Sequence, residues 1–545
     1  MRPSRDAVLL LALAGLLLLV GLGSVALTDR DEGANAEAAR EMLVDGSWIT
    51  PTLGDLPRFA KPAFVYWLMA TGYGVLGVGE TAARLPSAVA AVLLVLVQYA
   101  FARWALGRDA AWRAGLILLL SLEYVAIGRM ALTDATLALW TTVSGFAFLR
   151  GWWGAPPRGR WYALAWIAAG LAALTKGPVG LLIPLGGTLT YLWLAGGLRQ
   201  AWRESWPLRG LGLFILVAVP WYAAMFWLHG WDYAARARGE TIGRVVRPVT
   251  GPGGTALFYI PVLLLGFFPW SAFLPDAVVA ALRQARARAR RSRPDGVTVF
   301  AAAWLLFGLA LFSLAQTRLP HYVLPLFPAA ALLVAAAWPA VPSRLSRALL
   351  GGTGVAVGLF LAVAWFRSGE VVRLLATAYP APSGTALPAS ALVVAVLVAS
   401  AGGLAFMRNG ARLFNALAVL SALVLVLSLQ AVLPAFSAEF VAPAGQLAAR
   451  AARTARPCDT LVALGPYRPS LLFYARRPLI FVSPAGRQRD PGLAELAAGP
   501  GRLFVIAPAD LARALPPPVG LLSVLERRGG YVLLASDAPD QGCAA

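Results

Sequence analysis

Seven carboxylates crowd the stretch between residues 29 and 55: Asp29, Asp31, Glu32, Glu37, Glu41, Asp45 and Asp55. Asp31 and Glu32 stand side by side, just ahead of a short amphipathic run, Ala34–Leu43. Such a pair offers a general base with an orienting partner, or half of a site for a hard divalent metal. It equally suits a helix N-terminus at which Thr28 and Asp31 satisfy free N–H groups. About thirty residues on, Phe59-Ala60-Lys61-Pro62 holds one of only two lysines in a chain with 47 basic residues. The other is Lys176, in Thr175-Lys176-Gly177-Pro178. Asp134 closes the segment Arg129–Asp134, and Glu123 lies upstream of it. Between 229 and 255 come His229, Asp232, Arg236, Arg238, Glu240, Arg244 and Arg247, and Gln316–Tyr322 adds Arg318, His321 and Tyr322. Guanidinium groups clustered in this way suit a phosphate, which they grip through two parallel hydrogen bonds. The only two histidines, His229 and His321, do not make a metal site without carboxylate help.

The elements that position these residues are membrane spans. Hydrophobic residues make up 59% of the chain and charged residues 13%, against about 45–50% and about 25% in soluble domains. The expected fold class is an α-helical polytopic membrane protein. Apolar runs long enough for a core of about 30 Å fall near 7–27, 84–104, 111–128, 135–152, 161–175, 177–195, 210–228, 256–280, 297–315, 322–340, 347–366, 386–406 and 413–434, about thirteen in all. The first is read as a retained helix rather than a cleaved signal. The net charge of +21 would suggest nucleic acid in a soluble protein. Here the arginines gather in alternate loops, which marks those loops as cytoplasmic and excludes a nucleic-acid partner. The run from Arg283 to Arg293 then reads as a cytoplasmic, lipid-facing linker.

This orientation puts the N-terminus inside and the acidic first loop, about 28–83, outside. The aromatic run Phe64–Met69, with Tyr66, reads as a helix lying in the interface. Asp134, Lys176, the arginine-rich segment 229–255 and His321 come out on the same side. From about 435 the pattern changes to short aliphatic runs (Thr460–Leu464, Leu479–Val482, Leu503–Ile506, Tyr531–Leu534) alternating with helical segments (Gln446–Arg453, Leu493–Ala498, Ala509–Leu515). A transmembrane domain over 1–434 and a small outer α/β domain over 435–545 follow. Cys458 and Cys543, the only cysteines, favour one disulfide in an oxidising compartment. An outer face rich in carboxylates and cations, above an apolar body, suits a reaction on a lipid-linked phosphate.

The ordered pieces Asp31-Glu32, Ala38–Met42, Gly46-Ser47-Trp48, Lys61-Pro62, Tyr66-Trp67, Asp134, Thr175–Pro178, Phe268-Pro269-Trp270 and Leu319–Pro325 resemble the aminoarabinose transferase (ArnT) family. These are GT-C glycosyltransferases related to protein O-mannosyltransferases, and the likeness runs over about residues 28–330. It implies a GT-C fold in the bacterial inner membrane and a polyprenyl-phosphate-sugar donor. It also implies an acceptor at the periplasmic face, typically lipid A, and inversion at the sugar carbon. Asp31 would be the catalytic aspartate, with Glu32 beside it, and Asp134 a supporting acid. Lys61 would hold the carrier phosphate, in a binding set with Tyr66, Glu240, Arg244, Arg318, His321 and Tyr322. The chain departs from the family pattern at Ala34 and Asn35, where Arg and Tyr are usual, at Ala60 in place of Glu, and at Thr241 in place of His. The last two departures put a bound divalent metal in doubt. A protein hydroxyl as acceptor, and a lipid-linked-sugar flippase without chemistry, remain the rival readings.

Overall fold

In the computed structural model the described residues are 4–243, 246, 255–286, 293–376, 378–382, 384–483, 493–497, 499, 501–513, 515 and 522–536. Most of them lie in apolar helices. Five helices are long and apolar enough to cross a bilayer alone: Glu80–Leu106, Pro207–Thr241, Arg293–Leu314, Arg344–Phe366 and Gly410–Thr454. Two bent pairs, at 63° and 115°, raise the number to seven. Length and hydropathy thus identify five to seven of the thirteen crossings expected. The run at 111–128 is one of the bent pairs, Arg108–Leu119 and Leu122–Gly128. Glu123 therefore begins a short second helix instead of lying deep in a straight one.

The first helix ends at Leu18, well before residue 27. Two arginines account for the early stop. Arg129 donates to the carbonyls of Leu17, Val20 and Gly21 at 2.8–2.9 Å. Arg84 donates to those of Leu22, Val25 and Ala26 at 2.6–3.1 Å. Unwound chain in apolar surroundings must find partners for its carbonyls, and these guanidinium groups supply them.

Three elements shape the first loop. A helix spans Asp31–Asp45 and stops at Gly46, which takes φ 70°. A two-residue hairpin pairs Thr52 with Pro57 and Leu53 with Leu56. Gly54 and Asp55 form its tip at φ 61° and 62°, the conformation a tight hairpin turn requires. A second helix, Phe64–Leu76, buries Val65, Tyr66, Met69, Ala70 and Tyr73. The described part of the segment from 229, up to Gly243, is helical: Pro207–Arg238 runs on through a break at Gly230 (φ 55°) into Gly239–Gly243.

A mixed five-stranded sheet forms the C-terminal unit, in the order Ile480–Val482, Thr460–Leu464, Leu503–Pro508, Tyr531–Ala535, Ser523–Arg528. The first three strands are parallel and the last two antiparallel to their neighbours. Both faces are covered. Leu461, Ala463, Phe504, Ile506 and Leu533 pack under the helix Ala442–Thr454, and Val462, Leu503, Val505 and Leu534 line the opposite core. That is the two-residue alternation of a strand buried on both sides. The strand Ser523–Arg528 was not foreseen, because its exposed, charged sequence is that of a protected edge. Cys458 is disulfide-bonded, and Cys543 lies outside the described residues.

This unit rests on the first loop. The N–H of Ser470 donates to Asp29 at 3.0 Å, the Leu27 N–H donates to the Tyr474 hydroxyl at 2.8 Å, and that hydroxyl donates to Glu80 at 3.0 Å. A Cβ at Gly33 would lie only 2.6 Å from the Ser470 nitrogen and 2.7 Å from its Cα. Gly33→Ala should therefore prise the two apart. The expected cost is about 1–3 kcal/mol, read as a lower melting temperature in detergent and faster proteolysis of the C-terminal unit. An unchanged melting curve would show that Ser470 gives way freely.

Candidate functional site

Glu32 sets the position of everything around it. Its Oε1 accepts from Arg84 Nε at 2.7 Å and from the Ala131 N–H at 2.9 Å. Its Oε2 accepts from the Thr28 N–H at 2.8 Å, the Thr28 hydroxyl at 2.9 Å and a terminal Arg84 nitrogen at 3.1 Å. Burial alone would push this carboxyl up; the charge and hydrogen bonds of Arg84 outweigh it and hold the group below the usual glutamate range. Five donors leave Glu32 no oxygen for a substrate proton or a metal. Nor do Thr28 and Asp31 cap the helix as expected. Thr28 turns both its donors to Glu32, and Asp31 is the first helical residue.

Three residues further along the same helix face, Asn35 Nδ2 donates to the Ala131 carbonyl at 3.0 Å. One helix thus grips both backbone groups of Ala131, and Ser87 holds the next carbonyl, that of Leu132, at 2.8 Å. The turn that these contacts fix leads directly to Asp134.

Asp134 opens the helix Asp134–Trp153 and is 2% exposed. Its Oδ1 accepts from Lys176 Nζ at 2.5 Å, and its Oδ2 lies 4.0 Å from His321 Nε2. Lys176 ends the helix Gly159–Lys176, and Gly177 turns the chain there at φ 75°. The Lys176 ammonium sits 4.4 Å over the ring of Tyr322, which His321 meets edge-on at 5.1 Å. The charge of Lys61 acts on both Asp134 and His321, and that of Asp31 acts on His321. Asp134, Lys176, His321 and Tyr322, far apart in sequence, are therefore neighbours, and the charges of Asp31 and Lys61 reach them. Lys176, for which the sequence suggested a place but no role, is the direct partner of Asp134.

The other expected residues are distributed around this cluster. The Tyr66 hydroxyl donates to Asn35 Oδ1 at 3.4 Å and accepts from Arg58 Nε at 3.1 Å. Glu240 lines a cavity of about 1120 Å³ between the hairpin and the 235–246 segment. Arg318 donates to the Ser313 carbonyl at 3.0 Å. Arg244 lies outside the described residues. His229 is occupied by the Thr50 hydroxyl at 2.7 Å and packs on Phe59, so it does not join His321. The described residues assemble no metal site around Asp31. Among them, the acidic group close enough to hold an ion is Glu41, Asp45 and Asp55, at the far end of the loop helix.

Sequence reasoning missed Arg84 and Arg58. An arginine at the start of an apolar run, as Arg84 is, implies a buried partner; that was the available signal. Asp29 was also unassigned. Its carboxyl meets Ser470 and lies 3.8 Å from Arg468, yet burial prevails and pushes it up.

The fold is that of a helical polytopic membrane protein with a small C-terminal mixed sheet. The family model for dolichyl-phosphate-mannose-protein mannosyltransferases (PMT) matches residues 31–234. An undecaprenyl phosphate-alpha-4-amino-4-deoxy-L-arabinose arabinosyl transferase of Pseudomonas aeruginosa (strain UCBPP-PA14) is 33% identical over 347 residues, 60% of this chain and 58% of the relative. One of two such proteins in Proteus mirabilis (strain HI4320) is 32% identical, over 61% of this chain and 60% of the relative. The chain thus spans less than two thirds of the curated relatives it matches. The crystal structure of ArnT from Cupriavidus metallidurans bound to undecaprenyl phosphate superposes with a TM-score of 0.76 at 25% identity, covering 98% of this chain and 99% of that one. In sequence over about three fifths of its length, and in fold over nearly all of it, the chain is similar to ArnT proteins.

The Glu32–Arg84 pair carries a pH signature. The Glu32 carboxyl is depressed in the folded chain, so the unfolded chain binds its proton first as pH falls. Stability present at neutral pH is then lost below the ordinary glutamate value of about 4.3. Glu32→Gln should remove that part of the acid sensitivity and lower stability at neutral pH by about 3–5 kcal/mol, because Arg84 keeps its charge without a counterion. Melting temperature against pH for both proteins checks this. Parallel profiles would contradict it.

Proposed function

We propose that this protein transfers a sugar, of the 4-amino-4-deoxy-L-arabinose type, from undecaprenyl phosphate to lipid A at the periplasmic face of the bacterial inner membrane. The observation that carries this reading is the convergence of Asp31, Lys61, Asp134, Lys176 and His321 in a fold that matches a carrier-bound ArnT over nearly its whole length. The names of the relatives supply the sugar and the carrier. The topology proposed with it has thirteen crossings, a cytoplasmic N-terminus and a periplasmic C-terminal unit over 435–545.

The proposed reaction is a single displacement at the sugar's anomeric carbon. An acceptor oxygen forms its bond to that carbon from the side opposite the carrier, and the bond to the phosphate oxygen breaks. Asp31 takes the acceptor's proton where there is one. The electron pair leaves on the carrier phosphate, and Lys61 stabilises the charge that develops there. A phosphate is already a good leaving group, so cations matter more than a general acid. Asp134, fixed by Lys176, sets the position of His321 and the field around the carrier. Glu32 holds Asp31 in place from within the helix. Tyr66, Glu240, Arg244, Arg318 and Tyr322 complete the proposed binding set.

A protein acceptor is the second reading, favoured by the match to the protein mannosyltransferase model. Mass spectrometry of cell lipids and glycoproteins, with and without the protein, separates the two. A sugar mass lost from lipid A supports the first reading, and one lost from glycoproteins replaces it with the second. Asp31→Asn should abolish transfer in vitro, by at least about a hundredfold, while undecaprenyl-phosphate binding stays largely intact. Full activity in that variant would remove Asp31 from the mechanism. Movement of substrate across sealed vesicles with every bond unchanged would instead identify a flippase. Lys61→Met should raise KM for the donor and slow kcat, since one cation serves both binding and departure; an unchanged KM for the donor would free Lys61 of this role.

A further inference from the structure

Arg58 stands immediately after the hairpin strand Leu56–Pro57, its backbone N–H bonded to the Pro51 carbonyl at 2.7 Å. Its side chain reaches inward. Nε donates to the Tyr66 hydroxyl at 3.1 Å, and one terminal nitrogen donates to Asn35 Oδ1 at 3.4 Å. Both partners are neutral. Among the described residues no carboxylate comes within ion-pairing range of Arg58. That is unlike Arg84, Arg40 and Arg108, each of which has an acidic partner within 2.7 Å.

A guanidinium has five N–H donors in a rigid fork. Two contacts to neutral oxygens fix its plane and leave one edge free. Arg58 lines the cavity of about 1120 Å³, as do Arg236 and Arg238. Arg236 is turned to Asp232 at 3.0 Å, while Arg238 is exposed at the rim. The charge of Asp31 reaches Arg58. A half-buried cation on a cavity wall, held by two neutral oxygens and with no carboxylate in ion-pairing range, is a receptor for an oxyanion.

We propose that Arg58 is a binding residue for a lipid-borne phosphate, gripping its oxygens from the cavity wall. This rests on the transferase reading for the identity of the two lipids, the carrier and the acceptor, either of which brings a phosphate.

The test is direct binding by the purified full-length protein, with undecaprenyl phosphate in one arm and lipid A, intact or enzymatically dephosphorylated, in the other. Arg58→Gln should weaken one phosphorylated ligand at least tenfold, about the loss of one charge-assisted contact. It should leave the dephosphorylated lipid unaffected. A loss confined to undecaprenyl phosphate assigns the residue to the donor, and a loss confined to intact lipid A assigns it to the acceptor. Unchanged affinity in both arms, or an equal loss for the dephosphorylated lipid, would overturn the proposal. If the Gln variant does not fold, Arg58→Lys serves the same purpose. It keeps the charge but lacks the fork, and a loss of about threefold or more is expected where no change would refute. No turnover is needed, so a wild-type protein that binds these lipids and transfers nothing would defeat the transferase reading alone.

Discussion

The buried pair of Glu32 and Arg84 is the constraint on which the site depends. Two charges removed from water are tolerable only when each is matched and every remaining lone pair and proton has a partner. Here that condition is met by five donors on the carboxylate and three backbone carbonyls on the guanidinium. The consequence is geometric. The arginine is fixed to a spanning helix and to the unwound end of the first helix, and the glutamate is fixed to the helix that starts at Asp31. A shift of the loop by even an ångström would break several of these bonds together in a medium with no water to replace them. The loop helix is therefore as rigid as the membrane helices beneath it.

Rigidity passes from there to Asp134. Glu32 and Asn35 hold Ala131 by both its backbone groups, and the turn after Ala131 delivers Asp134 to Lys176 and His321. Carboxylates and cations alternate through the cluster. Each neutralises its neighbour, which lets charged groups stand at the edge of an apolar body without collapsing onto one another.

Much of this was legible in the sequence, and the failures have physical causes. Asp31, Lys61 and Asp134 stood out because charge is rare in so apolar a chain. The sheet of the C-terminal unit was readable because its strands are aliphatic runs separated by helices, except at the edge strand Ser523–Arg528, whose polarity hides it. The role of Glu32 was not legible. A carboxylate beside a catalytic candidate looks the same whether it meets a substrate or a buried arginine more than fifty positions away. Arg58 was obscured by the abundance of arginine. The early end of the first helix depended on Arg84 and Arg129 from other elements, and hydropathy along one segment does not register them. The segment from His229 onward read as a loop because its charges outweighed a helical continuation broken only at Gly230.

The contact between Asp29 and Ser470 joins residues 441 positions apart. Closing so large a loop is slow relative to forming a helix. During synthesis, the stretch around Asp31 is made long before the residues that brace it. The early helices can pack without them, but the backbone on one flank of Asp31 lacks its Ser470 and Tyr474 partners until the final sheet has folded against it. The surroundings of Asp31 are therefore among the last parts of the molecule to be completed, and a chain interrupted before Ser470 leaves them unfinished.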